Sequence, residues 1–324
     1  MNHPLSWAAG FFPQPETAGC LSEGYLLSRT DKSLSAWQQR QIARAIALCA
    51  VRSLYAELAL YPKPGLVSLR DNGSHIDMTA ATFIRSLFAL RHYFRAIAAA
   101  GLHCAPFSEL QHLGIQAERC MLLATRGINT HRGAIFALGM LCAAGAACVA
   151  AGQRLTADAI RNALQQHWGA ALRQHCATVP DSTPDSHGLQ VAQRFAASGA
   201  REEAALGFPA VFELALPRLT QVLQDSGCGE TARTEALFCL IAHVSDTNLY
   251  YRGGQAGADF ARQQAQAWIA AGGTRQPDWF DKAQACHAAF VQRRLSPGGA
   301  ADLLAASWLV HQLTDLDFPP VQYG

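Results

Sequence analysis

Polar and charged side chains interrupt an otherwise Ala- and Leu-rich chain at five places, each beside glycine and each at an expected helix boundary. The first joins Glu57 to Pro62–Lys63–Pro64–Gly65. The prolines stiffen this loop and Gly65 permits close backbone approach, so Lys63 is placed to meet a phosphate as a point charge. The plainer alternative is a solvated lysine beside a helix stop. The second place, Gly73–Ser74–His75–Ile76–Asp77–Met78, precedes a helix, where backbone N–H groups favour anions. His75 and Asp77 suit acid–base work or a metal, while Ser74 or Asp77 would equally serve as an N-cap. The third, Gly127–Ile128–Asn129–Thr130–His131–Arg132–Gly133, opens an apolar helix and reads either as a polyphosphate cradle or as a capping motif.

The fourth place holds Ser186–His187–Gly188, then Gly199–Ala200–Arg201–Glu202–Glu203. His187 and Glu203 have bland readings as a structural histidine and a first-turn acid favoured by the helix dipole. The fifth runs from His243 through Ser245–Asp246–Thr247–Asn248 to Arg252–Gly253–Gly254. Asp246, Thr247 and Asn248 offer the hard oxygen donors that Mg²⁺ prefers, and an aspartate at the end of an apolar helix opposes the dipole. Asp302 lies in the first turn of a last helix opened by Ser296–Pro297–Gly298–Gly299. The chain has no GxxxxGK[ST] loop, GxGxxG fingerprint, HExxH or GxSxG, so any nucleotide would bind outside the usual nucleotide folds.

Helices must position these groups. Ile42, Ile46, Ala50, Leu54 and Leu58 recur every four residues and line one face of a helix that should stop near Leu60, before Pro62 and Pro64. Helical patterns follow near 79–100, 107–125, 131–151, 156–176, 187–197, 201–224, 230–250, 254–271, 277–294 and 299–314. Thr156 reads as an N-cap, Pro217 as a kink or break, and Asp181–Ser186 as a flexible loop. Alternating strand patterns are almost absent. The expectation is therefore an all-α fold of about ten helices, with residues 1–34 an irregular N-terminal segment and 35–324 a single helical catalytic domain.

Composition narrows the function classes. The formal net charge of +2 and the lack of a basic stripe argue against a nucleic-acid partner. Residues 134–152 are the nearest to a membrane span, but their Ala and Gly content fits a buried core helix, so no membrane partner is expected. The ten cysteines form no CxxC pair and read as buried free thiols, which with no recognisable signal peptide places the protein in the cytoplasm.

In order along the chain, PKPGLVS, GSHIDM, GINTHRGAIFALG, SHG, GFP, DTNLYYRGG and SPGGAADLLA resemble the triphosphoribosyl-dephospho-CoA synthase family, from about Glu57 to Leu304. ELALYPKPGLVS with TFIRSLFALRHYF is most similar to its malonate decarboxylase branch, with the citrate lyase branch close. The family usually reads Gly-Ala-Arg-Gly-Glu where this chain has Glu202 in place of the second glycine. The resemblance implies a pentosyltransferase whose substrates are ATP and 3′-dephospho-CoA. The 2′-hydroxyl of dephospho-CoA attacks C1′ of the ATP ribose, adenine leaves, and the product becomes the prosthetic-group precursor of the decarboxylase acyl-carrier subunit. It further implies Glu57, Asp77 and Glu203 as acid–base groups, with His75 and His187 as proton carriers or substrate contacts. Lys63, Thr130, His131, Arg132 and Arg252 would grip the triphosphate, with Gly65, Ser74, Asn129, Gly253 and Asp302 in the same binding region. Mg²⁺ would be held by Asp246 with Thr247 and Asn248. A metal-dependent nucleotide hydrolase and a non-catalytic assembly factor are the readings from other classes.

Overall fold

In the computed structural model, residues 34–177 and 199–318 are described. Helix α1 (Ala36–Ala59) starts where Ser35 and Gln38 exchange capping hydrogen bonds and stops at Leu60, as the two following prolines require. Helix α2 (Ala80–Leu102) begins with the equivalent Thr79–Thr82 exchange. Then come α3 (Phe107–Thr125), α4 (Arg132–Ala150), α5 (Ala157–Ala177) and the short α6 (Ala200–Ala205). The chain continues through α7 (Leu216–Ser226), α8 (Gly229–His243), α9 (Thr247–Ala270), α10 (Trp279–Gln292) and α11 (Gly298–Thr314). These eleven α-helices make the fold all-α, with no strand among the described residues. The expected helix at 187–197, the Asp181–Ser186 loop and His187 lie outside the described residues.

Helix α4 is the axis of the core. It is apolar around its whole circumference and packs against α1, α2, α3, α5 and α11. It is also the one described helix long and apolar enough to cross a membrane, yet 83% of that stretch is buried among its neighbours, as expected for a core helix. Its small residues let helices approach closely: a Cβ at Gly101 of α2 would overlap the backbone of Ala143. All nine described cysteines are free, but only Cys49, Cys142, Cys148 and Cys286 are buried, so most are not the buried thiols expected.

Two expected helices are divided in the structure. The segment expected to be one helix over 201–224 is split by Gly207 and Phe208, both at positive φ, and resumes as a π-helical stretch, Ala210–Ala215. Pro217 lies in the first turn of α7, where its missing N–H removes no hydrogen bond within that helix. The helix expected over 230–250 ends at His243, and α9 starts at Thr247 with a kink at Gly254 (φ 61°, ψ −159°). Apolar spacing continues across both sides of residue 246, so periodicity alone joined two helices there. Thr156 behaves as expected, accepting the Ala159 N–H at 3.1 Å.

Candidate active site

The ends of α1, α4, α9 and α11, with the loop between α1 and α2, enclose a cavity of about 800 Å³. Its wall brings together residues that the sequence scatters over most of the chain. Glu57, His75, Asp77, the Asn129–Arg132 run, Glu203, the Asp246–Asn248 run, Arg252 and Asp302 all line it. Lys63, Gly65, Ser74 and Gly253 do not.

Those four support the wall from behind. Lys63 is fully buried, and its Nζ donates to the Glu57 carboxylate at 2.6 Å and to the Glu57 carbonyl at 2.7 Å. Burial pulls the Lys63 pKa down, against the attraction of Glu57. Its ammonium therefore orients a carboxylate at the cavity, in place of the free phosphate contact expected of it. Gly65, Ser74 and Gly253 converge on the connector before α11. A Cβ at Gly65 (φ 66°) would overlap the Leu295 carbonyl oxygen, and one at Gly253 would meet the Leu295 side chain at 2.6 Å. Ser74 Oγ donates to the same carbonyl at 2.6 Å. The close approach read at Gly65 thus serves packing. His287 of α10 completes the anchorage by hydrogen bonding to the Lys63 carbonyl.

His75 and Arg252 act as one unit. Arg252 Nη2 donates to His75 Nδ1 at 2.9 Å, since a guanidinium has no acceptor. The proton of His75 is therefore on Nε2, which donates to Ser296 Oγ at 2.8 Å. Burial, then the Arg252 charge, lowers the His75 pKa to about 4, with Asp77 opposing. A neutral ring with both nitrogens engaged is a strut on the cavity wall, which fits the substrate-contact expectation better than the proton-carrier one. Arg252 also donates to the Ser74 and Arg294 carbonyls. Asp77 is more exposed, with 56% of its side chain open to solvent.

Asp246 is the N-cap of α9, which reverses the unfavourable dipole placement expected of it. Its Oδ1 accepts from Asn248 N at 2.8 Å and Asn248 Nδ2 at 3.2 Å. Its Oδ2 accepts the Ala300 N–H of α11 at 2.9 Å. The pair Gly298–Gly299 makes room, since a Cβ at 299 would lie 3.1 Å from the carboxylate and one at 298 would lie 2.9 Å from Asn248. Burial raises the Asp246 pKa, while the N–H groups of Ala300, Asn248 and Gly299 lower it. These bonds occupy the Asp246 lone pairs a cation would need, so the Asp246 carboxylate is engaged as a cap, while Thr247 and Asn248 line the same cavity. Among the described residues no group of three His, Cys, Asp or Glu side chains is arranged to hold a metal.

At the start of α4, Asn129 Oδ1 accepts the Arg132 N–H at 3.1 Å, and the Arg132 guanidinium pairs with Glu118. His131 is only 3% exposed; its Nδ1 meets Ser86 Oγ at 2.7 Å and its Nε2 has no protein partner. Burial, then the Lys63 charge, lowers its pKa to about 3, so the ring is neutral near pH 7 and would meet a triphosphate only as an uncharged group. Thr130 Oγ1 is likewise buried and without a partner. Asp302 sits against Gly133, where any Cβ would overlap its carboxyl, and accepts the Ala134 N–H. Burial, then the Glu57 and Asp246 carboxylates, raises the Asp302 pKa well above the usual range.

The α6 corner contributes Glu203, whose Oε2 accepts the Ala210 N–H at 3.1 Å and whose pKa burial raises. Glu202 folds back to accept the Gly199 N–H at 2.8 Å, so the acid at the family's glycine position caps the helix. Two useful residues escaped the sequence reading. Arg201 is the cavity-lining guanidinium that has no protein hydrogen bond or ion pair among the described residues, whereas Arg132 and Arg252 are both engaged. Its place beside Glu203 in a quoted motif was a usable signal. Ser86 had none, because a serine inside an apolar helix face looks like any small core residue.

The cavity offers carboxyls in different protonation environments, one guanidinium unpaired among the described residues and neutral donors, a set suited to breaking and forming a bond at a sugar carbon. Comparisons with known proteins agree in direction. Residues 43–318 match the family model described as ATP:dephospho-CoA triphosphoribosyl transferase. The chain is 38% identical over 267 residues to the probable 2-(5''-triphosphoribosyl)-3'-dephosphocoenzyme-A synthase of Acinetobacter calcoaceticus, covering 82% of this chain and 90% of that one. It is 37% identical over 310 residues to the 2-(5''-triphosphoribosyl)-3'-dephosphocoenzyme-A synthase of Pectobacterium atrosepticum, covering 90% of this chain and 97% of that one. No solved structure matches the chain.

Proposed function

The chain belongs to the ATP:dephospho-CoA triphosphoribosyl transferase family, and we propose that it joins ATP to 3′-dephospho-CoA with release of adenine. The observation that carries this reading is the convergence of the family's motif residues on one cavity, where Glu57, Glu203 and Asp302 stand in three different environments. Cleaving the C1′–N9 bond of ATP needs a group to take the 2′-hydroxyl proton of dephospho-CoA and a group to give one to adenine. Each contributes roughly 10²–10⁴-fold. Glu203, with one oxygen anchored on Ala210 and its pKa raised by burial, is the base in this scheme. Asp302, whose pKa burial and two neighbouring carboxylates raise well above the usual range, is the acid in this scheme. Glu57, kept in place by Lys63, presents a carboxylate to the electron-poor ribose carbon.

Arg132, Arg201 and Arg252 form the cationic part of the wall, and the triphosphate lies against them, with Arg201 unpaired among the described residues. Magnesium arrives as Mg-ATP, complexed to the triphosphate. The product serves the acyl-carrier subunit of malonate decarboxylase, a choice supported by the ELALYPKPGLVS and TFIRSLFALRHYF strings. The enzyme works in the cytoplasm, where both substrates are at hand.

The deciding experiment is mass spectrometry of the purified protein with Mg-ATP and 3′-dephospho-CoA. Free adenine together with a triphosphoribosyl adduct, formed only when both substrates are present, supports the synthase. Adenine release without dephospho-CoA would make the protein a hydrolase, and no release would leave a non-catalytic role. Restoring malonate decarboxylase activity, rather than citrate lyase activity, in a strain lacking its own synthase tests the finer assignment.

A further inference from the structure

Two observations at the start of α4 are left over by the scheme above: the buried bond between Ser86 and His131, and the unpartnered nitrogen on the other side of the same ring. Ser86 is fully buried in α2, and among the described residues its Oγ has His131 Nδ1 as its single partner. Other helix-borne hydroxyls of this protein, such as those of Ser53, Thr125 and Ser307, donate to the carbonyl four residues earlier. Ser86 makes no such bond, so its hydrogen has only Nδ1 to go to. A buried hydroxyl hydrogen without an acceptor is costly, and Nδ1 must then be the acceptor. The ring proton consequently sits on Nε2.

We propose that Ser86 locks His131 in the Nε2–H tautomer and that this N–H, a neutral donor on the cavity wall, reads a ring nitrogen of the adenine of ATP. The surroundings of the ring select the acceptor. The His131 ring meets the Phe83 ring edge-on at 5.0 Å, and its backbone N–H faces the Met121 sulfur. An uncharged donor set edge-on to an aromatic ring suits a flat neutral base better than a phosphate, which calls for charged donors. Asp302, the acid of the proposed reaction, accepts the Ala134 N–H in the first turn of the same helix. The group that gives adenine its proton and the group that recognises adenine thus share one helix start. This part of the inference rests on the synthase reading; the tautomer does not. In the reaction the C1′–N9 electron pair passes to adenine, which takes the Asp302 proton, while the 2′-hydroxyl proton goes to Glu203. His131 transfers no proton and acts as a specificity residue, and Ser86 as a positioning residue.

Long-range ¹H–¹⁵N correlation spectra of the histidine-labelled enzyme test the tautomer directly, with His131→Gln identifying the resonance. The expected spectrum at pH 7 is a neutral ring protonated at Nε2, and Ser86→Ala is expected to lose the fixed pattern. An Nδ1–H ring or an imidazolium at pH 7 would overturn the assignment. Kinetics with ATP, 7-deaza-ATP and 3-deaza-ATP test the contact. Wild type is expected to lose on the order of tenfold in kcat/KM with one analogue, whereas His131→Ala handles that analogue and ATP alike. His131→Gln, whose amide can place an N–H near the Nε2 position, is expected to keep the discrimination. If His131→Ala discriminates among the three nucleotides as wild type does, adenine recognition by His131 is wrong. Failure of wild type to release adenine from ATP at all would refute the synthase reading instead, leaving the spectra to decide the tautomer.

Discussion

The Asp246 carboxylate at the N-cap of α9 also accepts the Ala300 N–H of α11 at 2.9 Å, so one side chain ties together the starts of two helices that face the cavity. Asp246→Ala removes a helix cap and leaves buried N–H groups unmet. Loss of the cap costs about 0.5–2 kcal/mol and each unmet buried donor about 1–3 kcal/mol. Chemical denaturation is expected to register a loss on the order of 3 kcal/mol. The Mg²⁺ concentration giving half-maximal activity should stay the same in Asp246→Asn; a large increase would restore a metal-ligand role.

Lys63 is expected to matter through Glu57. Lys63→Met strands a buried carboxylate, and breaking a buried pair in this way costs about 3–5 kcal/mol. The double variant Glu57→Gln with Lys63→Met should recover much of the stability but not the activity. If Lys63→Met instead raised KM for ATP with stability intact, Lys63 would be a phosphate contact after all.

Removing Arg201 should weaken ATP binding specifically. Hydrogen bonds to charged groups contribute about 1.5–3 kcal/mol, so Arg201→Ala is expected to raise the ATP Kd roughly 10–100-fold. Calorimetry with ATP and with AMP separates the cases: equal losses for both would place Arg201 away from the outer phosphates.

Two glycines at positive φ make a matched pair. Gly127 (φ 87°) has open space around its missing Cβ, so Gly127→Ala should cost only backbone strain, about 1–2 kcal/mol. Gly65 (φ 66°) lies against the Leu295 carbonyl, so Gly65→Ala adds a clash with backbone that cannot turn aside. Thermal unfolding is expected to rank Gly65→Ala clearly below Gly127→Ala. Equal melting temperatures would mean that the α1–α2 loop does not pack tightly on the α10–α11 connector.

Acid should destabilise the fold through two histidines. The pKa of His75 falls from its usual 6.5 to about 4 and that of His131 to about 3. Between those values and 6.5 the unfolded chain binds more protons than the folded one, so folding stability rises with pH. The contribution is complete above about 6.5 and is lost as pH falls toward 4 and then 3. Urea unfolding at pH 7, 6, 5 and 4 should show this decline, with a shallower slope in His75→Gln. An unchanged slope would mean that the His75–Arg252 contact does not keep the ring neutral.

By itself the sequence determined the helical class, the stop of α1 before Pro62 and the burial of α4. These depend on near neighbours along the chain: proline's missing N–H, capping side chains three residues apart, and a run of small apolar residues with no polar face. It also placed the chemistry at helix ends, because glycine beside Asp, Asn and His marks those ends. Tertiary structure decided what each polar group does there. Lys63 faces Glu57 rather than the cavity, Gly65, Ser74 and Gly253 gather on Leu295, and the Asp246 oxygens are taken by N–H groups. Ser86 and His131, from different helices, meet in the core. Whether a lysine is a ligand or a strut, or a histidine a base or a neutral donor, depends on burial and on partners far away in the chain. Those are set only when α2, α4, α9 and α11 pack together, since desolvation and hydrogen bonding act through space and leave no mark on local spacing.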